Sequence, residues 1–353
     1  MRQEKLFQLE TKQLPLNTPL ASLSFEEIKR NGFPYYQFNP SYLSLFQELC
    51  KADTSSVFDG EWIRDSRKNF TKLATVFFPH MYAVKCEGGK RTPLEAFQND
   101  KILKRAIRNC FKWTKNPTLN TLRSKIVVTS GTQGVSNFSP FIAKAIYDRF
   151  APHGKVFDFC AGWGGRLVGF LSSSAVLYVG AEVNSTNFPC YYRLLSAYSP
   201  CLQQKKMVLL FRHPCEEFDR SVKRLPDGSF YEVSFDGYFD LCFSSPPYFN
   251  KEKYSSDPEQ SYLRYPVYKD WLEKFLFRTM EVLFKLTKQN GYIVVVIASE
   301  VKDSSGKVYK VGEDLRKTFK PFAEYKLLLP RFFGKTRKSR TRYEFVFLYQ
   351  KKS

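Results

Sequence analysis

Seven short, nearly continuous apolar runs alternate with helix-like segments from about residue 155 onward. Runs that are apolar on both faces are typical of strands in a parallel sheet, because helices cover both sides of such a sheet. The clearest helix is predicted over residues 268–289, with a stop at Asn290-Gly291. The pattern therefore predicts a doubly wound α/β fold. The predicted strands cover residues 155–160, 176–183, 206–213, 239–245, 292–299, 325–330 and 343–350.

The first 125 residues have weaker strand signals and many aromatic side chains. Residues 61–125 contain 15 basic and five acidic residues, so we predict a mainly helical, basic region over 1–125 and an α/β domain over 126–353. The segment 101–115 predicts an amphipathic helix with Leu103, Ile107, Cys110 and Phe111 on its apolar face. Its basic residues, Lys104 and Arg108 among them, indicate either a solvated surface or a contact with a nucleic-acid backbone.

The composition of the chain indicates what kind of molecule it binds and where it works. The 353 residues carry a formal charge of +21, which favours nucleic acid first and an anionic membrane second. The eight cysteines form no C-x-x-C pair and there are only three histidines, so we predict reduced core thiols and no metal site. No run is long enough to span a membrane and no signal-peptide pattern is seen, so we expect an intracellular protein.

A glycine-rich turn follows the first predicted strand, in the sequence Asp158-Phe-Cys-Ala-Gly-Trp-Gly-Gly-Arg166. Glycines let a ligand approach the backbone, and the next helix offers free N–H groups. The nicotinamide pattern G-x-G-x-x-G/A does not fit, because Leu167 occupies its sixth position. Glu182 ends the second predicted strand, where a carboxylate can accept hydrogen bonds from both ribose hydroxyls of a nucleoside cofactor.

A Ser-Ser-Pro-Pro-Tyr turn at 244–248 follows the fourth predicted strand. Pro246 and Pro247 restrict the backbone, so the turn projects one hydroxyl, Ser245, and one ring, Tyr248. A Pro-Pro loop without chemistry is the other interpretation. The glycine turn lies about 80 residues upstream and favours the interpretation in which the Pro-Pro turn takes part in chemistry. This spacing also leaves no room for a recognition domain inserted between the two turns.

With both turns, the chain resembles class I S-adenosylmethionine-dependent methyltransferases, and more narrowly those that methylate exocyclic amino groups of DNA bases. The resemblance covers roughly residues 130–350 and implies a Rossmann-like, seven-stranded, mostly parallel sheet that ends in a hairpin. It implies S-adenosylmethionine as cofactor, with Asp158 near the methionine amino group. The cofactor-binding residues that we predict are Phe138, Asp158, Cys160, Gly162, Gly164 and Glu182.

The resemblance also assigns the chemistry. Ser245 and the Pro246 carbonyl are expected to accept the amino hydrogens, Pro247 to fix the turn, and Tyr248 to stack on a flipped base. In this family, a Ser at the first position of the turn favours methylation of cytosine N4, with adenine N6 next. No Pro-Cys nucleophile is found, which argues against methylation of cytosine C5. Residues 213–217 occupy the adenine position, where Glu216 or Glu217 is a candidate.

Residues 135–140 precede a predicted helix and, by position, resemble the segment of amino-methyltransferases that lies across the methionine end of the cofactor. Ser136 or Asn137 is a candidate helix cap, and Phe138 can pack on the cofactor. An ordinary N-cap with a hydrophobic staple is the other interpretation.

Basic residues at the substrate side complete the prediction. We expect DNA contacts from Lys104 and Arg108, from the 250–266 segment and from the 331–342 segment. The 331–342 segment is also compatible with a solvated loop or a nuclear-import tract. The candidates in these two segments are Lys251, Lys253, Arg264, Lys335, Arg337, Lys338 and Arg340. An RNA amino-methyltransferase, a protein glutamine methyltransferase and a catalytically silent nucleic-acid-binding subunit are the alternatives.

Overall fold

The computed structural model describes residues 13–86, 89–303, 306–328 and 343–352. The chain forms two compact units. The first, the helical unit, comprises the described residues up to Phe38 together with Pro79–Val135. The second, the sheet unit, comprises Asn39–Phe78 and the described residues from Ser136 onward. This division differs from the predicted boundary at residue 125, because residues 39–78 pack with the sheet.

Helices make up most of the helical unit, and the sheet unit has helices of its own that pack against its sheet. Several begin at side chains that accept a hydrogen bond from the first turn, such as Ser24, Thr92 and Asn99. The α-helices are α1 Phe25–Asn31, α2 Pro40–Lys51, α3 Lys72–Thr75, α4 Pro93–Gln98, α5 Asp100–Trp113, α6 Leu119–Val128, α7 Pro140–Phe150, α8 Gly165–Ser172, α9 Phe188–Tyr198, α10 Ser261–Arg264, α11 Tyr268–Asp270, α12 Arg278–Leu286 and α13 Val311–Thr318. A π-helical segment, Trp271–Phe277, joins α11 to α12, and 3-10 turns cover Leu20–Ser22, Ser55–Val57, Pro79–Ala83, Ser185–Asn187, Ser199–Cys201 and Cys215–Glu217.

Strands occur at all seven predicted positions. The strands are β1 Phe58–Asp59, β2 Trp62–Ile63, β3 Lys85–Cys86, β4 Lys155–Asp158, β5 Leu177–Ala181, β6 Met207–Phe211, β7 Val222–Arg224, β8 Phe230–Glu232, β9 Phe239–Ser244, β10 Glu252–Lys253, β11 Thr287–Ala298, β12 Val301–Lys302, β13 Val308–Tyr309, β14 Ala323–Leu328 and β15 Tyr343–Gln350.

One large sheet organises the sheet unit, in the order β1-β2-β14-β15-β11-β9-β4-β5-β6. From β6 to β11 all neighbours are parallel, and β15 runs antiparallel to both β11 and β14. The sheet therefore reverses strand order at β4, beside β9, where an open α/β sheet places its ligand crevice. The predicted α/β fold with a mostly parallel sheet and a final hairpin is confirmed.

The strand count differs from the predicted seven because two short strands from residues 58–63 extend the sheet. β2 pairs with β14, and Lys326 donates through its backbone N–H to the Glu61 carbonyl at 2.7 Å. The Lys326 ammonium also bonds the Glu61 carboxylate at 2.7 Å. The N-terminal segment thus covers an edge that would otherwise expose unpaired backbone groups.

The helix predicted over 268–289 ends earlier than expected, at Leu286. Thr287 already pairs with Phe239 of β9, and its buried hydroxyl donates to the Leu283 carbonyl at 2.6 Å. The expected stop, Asn290-Gly291, falls instead at an irregularity of β11 between Thr287 and Tyr292, where Asn290 has a φ of 63°.

The helical unit has its own apolar core, built around residues of α4, α5 and α6 such as Phe97, Leu103 and Leu122. On α5, Leu103 and Cys110 are buried as predicted, whereas Phe111 is exposed. Phe111 therefore does not belong to the buried face, which Ile102 and Ala106 complete instead.

Candidate functional site

The glycine turn joins β4 to α8 at the reversal point of the sheet. Gly162 and Gly164 have φ values of 59° and 73°, in the left-handed region that side chains disfavour. At Gly164 an added Cβ would also lie 2.9 Å from the Phe78 ring and 3.0 Å from Leu194. At Gly162 it would meet nothing closer than 3.7 Å, so protein atoms leave room beside this peptide.

Asp158 is fully buried beneath this turn and is saturated with hydrogen bonds. One carboxylate oxygen accepts from Arg166 Nε at 2.9 Å and from the Tyr178 hydroxyl at 2.8 Å. The other accepts from the Ser244 hydroxyl at 2.8 Å and from the Cys160 N–H at 3.4 Å. Four donors fill the acceptor sites of a carboxylate. Asp158 therefore holds the turn in place, which differs from its predicted contact with a methionine amino group.

Glu182 presents its carboxylate beside the same turn. Its oxygens accept from the Gly162 N–H and the Asn184 N–H, each at 2.8 Å. Burial raises the pKa of Glu182, and these two N–H donors oppose the rise. Each oxygen has one donor at 2.8 Å, and the Tyr191 hydroxyl and the Asn187 side chain also contact the carboxylate, so binding of two ribose hydroxyls by Glu182 stays a prediction.

The Gly162 carbonyl on the far side of the turn is held by two side chains of the following helix region. Asn187 donates to it at 3.1 Å and the Tyr191 hydroxyl donates as well. The sequence offered no motif for either residue, because an Asn and a Tyr at these positions look like ordinary helix residues.

The segment before α7 lies against the start of α8. A Cβ on Gly165 would stand 2.2 Å from the Phe138 carbonyl oxygen, and Asn137 donates to the Trp163 carbonyl at 2.7 Å. The N-cap of α7 is Ser139, so neither Ser136 nor Asn137 caps this helix. The Phe138 ring packs 5.6 Å from the Phe243 ring, with the Arg166 guanidinium 5.5 Å above it.

The predicted adenine segment contains a buried acid. Glu216 accepts from Arg264 at 2.7 Å, and the same guanidinium bonds Glu217. Burial raises the pKa of Glu216 to about 7. Arg264 was predicted to contact DNA, but its guanidinium is engaged by these two carboxylates and fixes the segment instead.

Two thiols approach each other at this site. Cys160 of the glycine turn and Cys215 of the adenine segment have their sulfur atoms 3.7 Å apart, and both are free. The hydrogen bond with Cys215, together with burial, raises the pKa of the Cys160 thiol. Neutral thiols suit a contact with an apolar ligand surface.

The Ser-Pro-Pro-Tyr turn begins where β9 ends, directly beside the glycine turn. Ser244 is fully buried, and its hydroxyl donates to Asp158 at 2.8 Å and approaches the Cys160 carbonyl at 3.2 Å. One residue later, the Ser245 hydroxyl lies 2.8 Å from the Tyr248 hydroxyl. Ser244, whose role the sequence did not indicate, thus fixes the distance between the two turns.

Tyr248 is half-buried, with its hydroxyl facing the sheet. The hydroxyl donates to the Val296 carbonyl at 3.5 Å, and the Glu344 carboxylate lies near it. Burial, and then the charge of Glu344, raise the pKa of Tyr248 well above its usual value. Lys251 lies over the ring, with its ammonium 5.1 Å from the centroid. Glu344 was missed because nothing in the sequence links the last strand to this turn.

Two further aromatic residues line the site. The Trp163 ring, within the glycine turn, meets the Tyr254 ring edge-on at 5.4 Å. The Tyr254 hydroxyl donates to Glu252 at 2.5 Å. Tyr254 belongs to the 250–266 segment, which was predicted to border the substrate, whereas Trp163 was not singled out although it lies between the predicted glycines.

The predicted DNA contacts lie in different parts of the chain. Lys251 is at the Tyr248 ring and Lys253 is exposed, whereas Lys104 and Arg108 are exposed on α5 of the helical unit. Lys335, Arg337, Lys338 and Arg340 lie outside the described residues. A role in DNA binding stays a prediction for all of these, with Arg264 excepted.

Within the described ranges, no group of three His, Cys, Asp or Glu residues is arranged to hold a metal ion. No helix among these residues is both long and apolar enough to cross a bilayer.

No protein-family model matches the chain, and no curated protein is significantly similar to it. Among solved structures, a 1,6-didemethyltoxoflavin-N1-methyltransferase of Burkholderia thailandensis with bound S-adenosylhomocysteine is 13% identical, covering 60% of this chain and 77% of its own, with a TM-score of 0.36. TrmN from Thermus thermophilus is 12% identical, covering 60% of this chain and 48% of its own, with a TM-score of 0.37. A SAM-dependent methyltransferase of Methanosarcina mazei is 14% identical, covering 59% of this chain and 96% of its own, also with a TM-score of 0.37. Similarity this low does not carry a functional inference.

Proposed function

We propose that this protein transfers a methyl group from S-adenosylmethionine to the exocyclic amino group of a DNA base, cytosine N4 by preference and adenine N6 otherwise. The observation that carries the proposal is the Ser244 hydroxyl, which joins the Ser-Pro-Pro-Tyr turn to Asp158 beneath the glycine turn. Two turns of distinct chemistry are thereby held at the carboxyl ends of adjacent strands, β4 and β9. A cofactor and an acceptor group would meet there.

The residues of the glycine turn fit a nucleoside cofactor. Glu182 presents its carboxylate beside the glycine turn, where it would accept from the ribose hydroxyls, and Gly162 leaves room for a ligand against its peptide. The Phe138 ring and the Cys160 thiol, both half-buried near the turn, would offer apolar contacts. When bound, S-adenosylmethionine supplies a methyl group activated by its sulfonium. The methionine ammonium needs an acceptor other than Asp158, because that carboxylate is saturated.

Ser245 and the Pro246 carbonyl supply what an amino acceptor needs. The lone pair of a base amino group is delocalised into the ring, so the nitrogen is a weak nucleophile. Accepting hydrogen bonds from its two hydrogens favours a tetrahedral nitrogen and frees the lone pair for attack on the methyl group. With the cofactor bound, the nitrogen would gain the methyl group as the sulfonium S–C bond breaks, and Ser245 and the Pro246 carbonyl would hold the N–H groups, one of which then loses its proton to water.

Nucleic acid is the substrate class that the charge favours. The chain carries +21 overall, and α5 bears exposed basic side chains that include Lys104 and Arg108. An exocyclic amino group inside a duplex is out of reach, so we expect the base to be flipped against Tyr248. An RNA amino group would satisfy the same turn.

The test is methyl transfer from labelled S-adenosylmethionine to DNA, RNA and protein, followed by mass spectrometry of the digested nucleosides. We expect N4-methylcytosine or N6-methyladenine in DNA. The same modifications confined to RNA would replace DNA as the substrate. Formation of 5-methylcytosine, or full activity in Ser245→Ala, would overturn the mechanism. Protein labelling alone would overturn the substrate class.

A further inference from the structure

Phe249, the residue directly after the Ser-Pro-Pro-Tyr turn, has an unfavourable backbone conformation. Its φ is 52°, in the left-handed region that a bulky side chain disfavours. The Lys251 N–H donates to the Tyr248 carbonyl at 3.1 Å, which closes a tight turn with Phe249 at its second position. Turns with a positive φ at this position usually have glycine there. The backbone at Phe249 is therefore strained, and contacts outside the turn must hold it.

Three aromatic rings from two later segments of the chain hold the Phe249 ring. Phe249 is 4% exposed, and its ring centroid lies 5.4 Å from that of Tyr268, 5.7 Å from Trp271 and 5.5 Å from Tyr309. Trp271 is fully buried, and the Tyr268 hydroxyl donates to Asp314 at 2.8 Å, so the walls of this aromatic anchor are themselves fixed. A rotation of Phe249 to a negative φ would pull its ring out of these contacts. Packing of the side chain therefore opposes the relaxation of the backbone.

The closed turn brings Lys251 back over the Tyr248 ring. The Lys251 ammonium lies 5.1 Å from the ring centroid, while the Tyr248 hydroxyl lies 2.8 Å from the Ser245 hydroxyl. Tyr248 is thus held at its hydroxyl and at its ring. If Phe249 relaxed to a negative φ, the chain after Tyr248 would turn away and the hydrogen bond that closes the turn would break. Tyr248 would then lose its fixed orientation, and Ser245 would lose the partner of its hydroxyl.

We propose that Phe249 is a positioning residue, whose anchored ring holds a strained turn and thereby fixes Tyr248 and the Ser245 hydroxyl for the amino group of the substrate. This inference rests on the proposed function and extends it to the way in which the reacting turn is held. A strained residue persists only where its surroundings over-determine it, and such residues occur where a site must be ordered before its ligand arrives. Phe249 makes no contact with the substrate in this proposal and acts through Tyr248.

Single-turnover methyl transfer at saturating cofactor and DNA, expressed per folded molecule, tests the proposal in three variants. Phe249→Ala removes the anchor and keeps the strain, so the rate should fall by about tenfold or more. Phe249→Gly also removes the anchor, but glycine adopts this φ without strain, so it should transfer at least about fivefold faster than Phe249→Ala. Phe249→Leu should recover part of the rate, because an apolar side chain again fills the space between the rings. The dissociation constant of S-adenosylmethionine should stay the same in all three.

A merely structural role would lower the stability and leave the rate per folded molecule unchanged, and that result would overturn the proposal. Phe284→Ala is the matched control. Phe284 is a half-buried ring of α12 at negative φ, packed 6.3 Å from the Phe319 ring. Its loss should lower the stability without changing the rate per folded molecule.

A second variant keeps Phe249 in place, in case Phe249→Ala does not fold. Tyr309→Leu removes one ring of the anchor and should lower the rate by less than Phe249→Ala does. Added to Phe249→Leu, it should cause less loss than it does alone, because the contact between the two rings is already gone. Losses that multiply independently would overturn the proposal.

Hydrogen exchange of the Lys251 amide tests the turn in the protein alone. With lysine labelled by ¹⁵N, this amide should exchange about tenfold or more faster in Phe249→Ala and in Tyr309→Leu than in the wild type, because its bond to the Tyr248 carbonyl opens more often. The Lys326 amide, which donates to the Glu61 carbonyl at 2.7 Å, is the internal control and should keep its rate. Unchanged exchange at Lys251, or an equal increase at both amides, would overturn the proposal. If the wild-type protein binds no cofactor and transfers nothing, the proposed function fails, and the exchange result still decides whether Phe249 holds the turn.

Discussion

Asp158 and Arg166 form a buried ion pair that anchors both turns of the site. Asp158 also accepts from Ser244, and Arg166 also donates to the Cys160 carbonyl, so the pair connects β4, α8 and β9. A buried charge left without its partner costs about 3–5 kcal/mol. The pair is therefore a requirement of the folded site, and neither residue is available as a simple ligand contact.

Ser245 is the residue on which the proposed chemistry depends most. Ser245→Ala removes one acceptor for the amino group and should lower the single-turnover rate by about a hundredfold or more. The affinity for S-adenosylmethionine should stay the same, because Asp158 is held by Ser244 rather than Ser245. Rapid-quench kinetics and calorimetry measure the two quantities. Ser234→Ala, at an exposed position, is the control, and a loss of affinity equal to the loss of rate would contradict the assignment.

Lys223 carries a buried ammonium at an unfavourable position. Its side chain is 1% exposed, its Nζ has no hydrogen-bond partner among the described atoms, and the Phe218 ring lies 5.0 Å away. Burial lowers the pKa of Lys223 from 10.5 to about 8, although Asp219 and Asp236 oppose this shift. The folded protein therefore binds fewer protons than the unfolded chain between these two values.

Lys223→Met should stabilise the protein at pH 7 by about 1–3 kcal/mol, because an apolar side chain carries no charge to desolvate. In the wild type, stability should rise as pH increases from about 8 toward 10.5. The variant should lose this rise. Urea unfolding from about pH 7 to pH 10 measures both effects, with the exposed Lys205→Met as the control. A destabilised variant with the wild-type slope would contradict the prediction.

For helix α5, the predicted pattern of buried positions was correct except at the C-terminal turn. Its buried residues follow helical spacing, while Phe111 and Trp113 are exposed at the C-terminal turn. The Lys125 ammonium lies over the Trp113 ring, 3.3 Å from its centroid. Exposed aromatic rings among basic side chains are suited to nucleic acid, since they add stacking to charge.

Charge reversal on α5 should weaken DNA binding mainly at low salt. Lys104→Glu with Arg108→Glu should flatten the dependence of log K on log salt by roughly two units, if each residue holds one phosphate. Fluorescence anisotropy over a salt series measures the slope. The exposed pair Lys205→Glu and Lys317→Glu makes the same change in net charge and is the control. Equal slopes in the two double variants would exclude α5 as a specific contact.

At the scale of the whole molecule, cofactor binding should be visible as stability. A ligand that binds only the folded state at a hundred times its dissociation constant adds about 2.7 kcal/mol to the free energy of unfolding. We expect S-adenosylmethionine to do so in the wild type and to lose most of this effect in Glu182→Ala, because that carboxylate orders the Gly162 peptide. Urea unfolding with and without cofactor measures the effect. An undiminished stabilisation of Glu182→Ala would contradict the assignment, and Glu324→Ala is the control.

The sequence by itself determined seven of the nine described strands of the large sheet, and the two turns. Long apolar runs specify buried strands, glycines specify positive φ at Gly162 and Gly164, and Pro246-Pro247 specifies a rigid turn. These features depend on a few adjacent residues, so they can be recognised without knowing the fold. Even so, the end of α12 was misplaced by three residues, because pairing of Thr287 with β9 overrode the local stop signal.

Only the tertiary structure decided which side chains meet. Ser244 reaches Asp158 across 86 positions of sequence, and Arg264 pairs with Glu216. Glu344 lies near Tyr248 because β15 pairs with β11. Residues 58–63 likewise became strands because β14 offered an edge. Such contacts depend on strand order and register, which no local pattern contains. For this reason the sequence identified the site, while its hydrogen-bond network followed from the fold.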